Sequence, residues 1–74
     1  MRNEAIKTMF TAGTAIRLIR MIDEPQMPTG MIGFVQYVDD AGQIHMKWEN
    51  GSTLALTMGD DFEVISDFYD IHFK

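Results

Sequence analysis

The chain has 74 residues, 11 acidic against 6 basic side chains, a formal net charge of −5 and no cysteine. Seventy-four residues suffice for one domain, near the lower limit for an unaided core, with net stability of about 3–5 kcal/mol. Disulfides and thiolate–metal staples are excluded. The bases Arg2, Lys7, Arg17, Arg20, Lys47 and Lys74 are scattered along the chain, so direct nucleic-acid binding, which needs gathered cations, is disfavoured.

The N-terminal stretch 1–12 is expected to be an arm or short helical turn, with Ile6, Met9 and Phe10 as docking contacts. It lacks the apolar core of a signal peptide. No run approaches the 18 or so consecutive apolar residues of a membrane helix, and a cytoplasmic location is expected. From Thr14 to Met21, Ile16 and Leu18 alternate with Arg17 and Ile19, which predicts a first strand. Asp23 to Gly30 holds two turn signals, Asp-Glu-Pro and Met-Pro-Thr-Gly. A loop of this length after the first strand is typical of an SH3-like barrel, where it lies over one side of the sheet.

Met31 to Val38 reads as a second strand, with Gly33 suggesting a bulge or bend. Asp39 to Gly42 is a hairpin loop with Gly42 at the left-handed position. Gln43 to Trp48 alternates again as a third strand, and Ser52 to Leu56 as a fourth. Between them Asn50-Gly51 predicts a type I′ turn, which needs positive φ at both residues. Thr57 to Asp61 is a tight turn, and Phe62 to Ile65 closes as a fifth strand. Five short, evenly spaced strands argue an all-β small barrel over 13–65. The segment 66–74 adds an aromatic tail, FYDIHF, expected to be a further strand or arm on the barrel or a docking and dimerisation segment.

Three stretches resemble a known family: GTAIRLIRMIDEPQMPTG (13–30), GFVQYVDDAGQIHMKWENGSTLAL (33–56) and GDDFEVI (59–65). They are similar to the DUF4314 family, domains of unknown function found in bacteria, phages and mobile elements. The joined D-D-x-G-x-I-H and W-x-N-G-S motifs carry the likeness. Met46 stands where the family usually has Val, and Glu49 where it has Asp. The resemblance implies an SH3-like barrel and brings no known activity.

No residue pattern points to catalysis. There is no Gly-x-Ser-x-Gly, no phosphate-cradling glycine loop and no nucleophile paired with a base. His45 and His72 are the only histidines, too few for a zinc site without cysteine. The Asp39, Asp40, Gly42 run lacks calcium-loop spacing. No metal and no cofactor are expected. By parity Trp48 joins Ile44 and Met46 in the core, while His45 lies outward with Lys47 and bonds to the Asp39 or Asp40 loop.

The reading that follows is a non-enzymatic module that binds a protein partner. Tyr37 beside Asp39 and Asp40 forms a candidate recognition surface for a basic or cationic group. Asp60, Asp61, Phe68, Tyr69 and Phe73 are further candidates. A second reading is an acidic inhibitor of a host nucleic-acid enzyme, of the anti-CRISPR or anti-restriction type. Its carboxylates would be Asp23, Glu24, Asp39, Asp40, Asp60, Asp61 and Glu63. A third is an accessory barrel of a nucleic-acid machine. A homodimer remains open.

Overall fold

The computed structural model describes residues 2–66. One helix, α1 (Arg2–Met9), precedes four strands: β1 (Ala15–Arg20), β2 (Ile32–Val38), β3 (Ile44–Trp48) and β4 (Asp61–Ser66). All pairings are antiparallel, and the open sheet runs β3-β2-β1-β4. The expected alternation holds: Ile16 and Leu18 on β1, and Ile44, Met46 and Trp48 on β3, are buried, with Arg17, Ile19 and Lys47 exposed. Val35, Val38, Leu56, Met21, Met27 and Phe10 complete the core. Met27 comes from the long loop after β1, which thus lays an apolar side chain into the core. The N-terminal segment is a full two-turn helix. Phe10 packs edge-to-face on Phe62, with ring centroids 5.7 Å apart, and Ile6 packs against the core. Met9, expected to dock, is exposed.

Three local expectations need correction. Asn50-Gly51 is not a type I′ turn, because no described residue other than glycine has positive φ. Instead the Gly51 N–H donates to the Trp48 carbonyl (2.9 Å) and the Trp48 N–H to the Ser52 carbonyl (3.0 Å). That is a type I turn followed by a left-handed glycine in a bulge, the standard three-residue hairpin loop. Only Gly51, at φ 89°, needs the left-handed region. The Asn50 side chain is then free to accept from the Ser52 N–H at 2.9 Å. The Asp39–Gly42 loop repeats the device: the Gly42 N–H donates to Asp39 O, and the Asp39 N–H to Gln43 O, both at 3.0 Å.

Gly33 marks no bulge. It pairs with Ile16 on one side and Trp48 on the other. A Cβ at Gly33 would stand 2.4 Å from Trp48 Cε3. The glycine is therefore a seat for the indole. The register shift falls at Gln36, between the Val35–Met46 and Tyr37–His45 pairs.

The segment Ser52–Leu56 is not a strand, which leaves four strands where five were expected. It touches β3 at its two ends. Ile44 and Leu56 exchange backbone bonds of 2.7 and 2.8 Å, and Trp48 bonds Ser52. Both contacts share one register, which sets Leu54 opposite Met46. Leu54 makes other bonds instead: Trp48 Nε1 donates to its carbonyl at 2.9 Å, and its N–H donates to Ser52 Oγ at 3.2 Å. Two side chains replace the middle rung of the ladder. The indole N–H needs a partner once its ring is buried, and the passing backbone supplies it.

Candidate functional site

The bulge at Gln36 decides what the outer face presents. Strict alternation from Val35 would send Tyr37 inward. The extra residue turns Gln36 and Tyr37 both outward and returns Val38 to the core. Tyr37 thereby lands opposite His45, and the two rings stack at 4.3 Å with a 7° interplanar angle. His45 Nε2 lies 2.8 Å from Asp39 Oδ2. Asp39 Oδ1 accepts in turn from the Ala41 and Gln43 N–H groups, at 3.0 and 2.9 Å. The hydrogen bond from His45, then the one from the Gln43 backbone, hold the Asp39 carboxyl below the usual carboxylate range.

The result is a supported aromatic surface. Tyr37 remains 55% exposed, yet its ring rests on a histidine anchored by an aspartate anchored by a turn. Phe34, 43% exposed, follows on the same strand opposite Lys47. Asp40, adjoining, accepts from Lys7 Nζ at 2.6 Å and so ties α1 to the turn. That contact raises the Lys7 pKa.

The other acids are dispersed. Asp60 clamps the 57–60 turn: its Oδ2 accepts from the Thr57 N–H and its Oδ1 from the Ile22 N–H, both at 3.0 Å. Asp61 stands 3.6 Å from Arg20, and Glu63 pairs with Arg17 across β1 and β4. The structure thus brings together Tyr37, Asp39 and Asp40, and sets Asp60 and Asp61 at the far end of β1. Phe68, Tyr69 and Phe73 lie outside the described residues. Among the described residues there is no pocket and no group of three potential metal ligands. No described helix is long and apolar enough to cross a membrane.

The hydrogen bond from His45 to the Asp39 loop is as the sequence leads one to expect. The Tyr37–His45 stack and the place of Phe34 beside it are additional. Their signal is the run Val35-Gln36-Tyr37-Val38, where two outward residues interrupt an alternation that Gly33 and Val35 begin.

The class defined by these features is a small, mostly β domain: an open four-stranded antiparallel sheet with one N-terminal helix and an aromatic outer surface. The chain belongs to the family described as Domain of unknown function (DUF4314), whose model matches residues 2–65. The match takes in α1 and ends on β4, so helix and sheet fall within one family unit and the aromatic tail beyond it. No curated protein and no solved structure matches the chain.

Proposed function

We propose that this protein is a non-enzymatic interaction module whose recognition surface is the Tyr37–His45 stack with the Asp39–Gly42 turn. Its partner is a protein segment that lays a Lys or Arg side chain on the Tyr37 ring, beside Asp39 and Asp40. The observation that carries this reading is a half-exposed tyrosine held rigid from beneath. Aromatic anchors with few rotatable bonds give large contact area at low entropic cost, and fixing them before contact lowers that cost further. The ring face attracts a cation, and neighbouring carboxylates add to the attraction.

The Ile44–Leu56 bridge, which brings the 52–56 segment back to the edge of β3, supports reading the open sheet as kin to an SH3-like barrel, a fold whose members commonly bind peptides. A cytoplasmic setting in a bacterium, phage or mobile element fits a cysteine-free chain. The net charge of −5 and the exposed Asp40 and Asp61 favour a second reading, an acidic inhibitor of a host nucleic-acid enzyme. The test is capture of partners by tagged protein, with Tyr37→Ser and Asp40→Asn variants alongside. A partner retained equally by both variants would refute the Tyr37 surface.

A further inference from the structure

Asn50-Gly51 is the chain's only Asn-Gly pair, and its other asparagine, Asn3, precedes Glu4 inside α1. In such a pair the asparagine side chain can react with its own backbone. The Gly51 nitrogen attacks Asn50 Cγ, and the new N–Cγ bond closes a succinimide ring. The Cγ–Nδ2 bond breaks, Nδ2 takes the Gly51 amide proton, and ammonia leaves. Water then opens the ring at either carbonyl. One opening gives aspartate. The other gives isoaspartate, whose main chain runs through Cβ and Cγ. Glycine favours the attack because no side chain shields its nitrogen. The site is also open to water: Asn50 and Gly51 are exposed, and a Cβ at Gly51 would meet nothing within 4 Å.

The hairpin turn holds both reacting groups out of reach of each other. The Gly51 N–H donates to the Trp48 carbonyl at 2.9 Å, so the proton that must depart is engaged. Asn50 Oδ1 accepts from the Ser52 N–H at 2.9 Å, which ties the side chain to residue 52. Asn50 is the third residue of a type I turn, where ψ is about 0°. At that angle the Gly51 nitrogen stands rotated away from the Cβ–Cγ arm, and the ring cannot close. We propose that Asn50 is a spontaneous modification site guarded by its own turn: it converts from the opened hairpin, and its isoaspartyl product prevents the hairpin from closing again.

The two products differ in consequence. Aspartate keeps a side-chain oxygen for the Ser52 N–H and therefore keeps the turn. Isoaspartate lengthens the main chain at residue 50, which both the Gly51–Trp48 and Trp48–Ser52 backbone bonds span. Losing those bonds frees the 52–56 segment, whose remaining ties to β3 are the Trp48 Nε1 bond to Leu54 O and the Ile44–Leu56 bridge. The turn lies at the end of β3 away from the Asp39–Gly42 loop, so this inference is independent of the interaction reading.

The full chain is incubated at neutral pH, folded and in unfolding concentrations of urea. Conversion is followed by anion exchange, since each event adds a negative charge, and placed by peptide mass spectrometry. Enzymatic methylation of isoaspartate distinguishes the two products. The expected result is conversion at residue 50 in both samples, slower by about tenfold or more when folded. Trp48→Phe, which removes the indole bond to Leu54, should raise the folded rate by about fivefold or more and leave the rate in urea unchanged. The isolated isoaspartyl form should lose hydrogen-exchange protection at Ile44 and Leu56, whereas Asn50→Asp should keep it. A folded rate equal to or above the rate in urea would overturn the guard, and no conversion at residue 50 in urea would overturn the site. Full protection in the isoaspartyl form would overturn its proposed effect on the hairpin.

Discussion

Replacing Gly33 with alanine isolates the contact on which the core depends. The added methyl would lie 2.4, 2.8 and 2.9 Å from Trp48 Cε3, Cδ2 and Cζ3, all well inside van der Waals contact. Flexible side chains yield to such crowding, but Trp48 is only 2% exposed, and its Nε1 is bonded to Leu54 O. Its backbone is held by Ser52. The ring cannot withdraw without breaking that bond. Overpacking costs about 1–3 kcal/mol. Losing the indole bond adds about 1 kcal/mol. Gly33 has no positive φ, so alanine carries no backbone strain there and recovers about 0.4–1 kcal/mol through the unfolded state. The net expectation is a destabilisation of about 2 kcal/mol. That is a large share of what a domain this size holds. Urea unfolding followed by fluorescence of the single tryptophan measures it directly. The double change Gly33→Ala with Trp48→Leu, followed by circular dichroism, tests the cause: alanine should be neutral or mildly stabilising once the indole is gone. A neutral Gly33→Ala in the otherwise unaltered protein would refute the packing argument.

Further outcomes follow from the turns and the polar support. Trp48→Phe keeps the ring but not the donor, leaving Leu54 O without its partner. It should cost about 1–2 kcal/mol in urea unfolding and speed hydrogen exchange at Ile44 and Leu56. Gly51→Ala meets no atom within 4 Å, so its cost is backbone strain alone, about 1–2 kcal/mol. Gly51→Asn, better suited to the left-handed region, should cost less. The Asp39 carboxyl titrates below its unfolded value of about 3.9, so its contribution is present above that pH and is lost as pH falls through the lower folded value. As pH falls below about 4 and through that lower folded value, Asp39→Asn should therefore flatten the acid loss of stability relative to the unaltered chain. An identical slope would remove Asp39 as the support of the turn.

The strand faces were legible because alternation is a local property. Ile16 and Leu18, or Ile44, Met46 and Trp48, announce their direction within five residues. Gly42 at its left-handed position was legible for the same reason. The turn at Asn50-Gly51 was not, since the pair suits two hairpin geometries, and the Trp48–Ser52 bond chooses between them. From sequence alone Gly33 suggests a bulge or bend, because a strand glycine has more than one meaning. Only the partner across the sheet, a tryptophan, tells them apart. The segment after Ser52 alternates as a strand should, but a side chain took the backbone group its ladder needed. The candidate surface was half legible: Tyr37 and the acidic loop were in view, and His45 is bonded to that loop as expected. The stack itself rests on a one-residue register shift, which emerges only when both strands are paired.

The most direct test of the central claim is the salt dependence of partner binding by the unaltered protein and by Tyr37→Ser. An interaction module built on a supported aromatic surface predicts a modest decline from about 50 to 500 mM salt and near-complete loss of binding in Tyr37→Ser at every salt concentration. Binding that falls steeply with salt, survives Tyr37→Ser and is abolished by Asp40→Asn and Asp61→Asn together would contradict it and establish the acidic surface in its place.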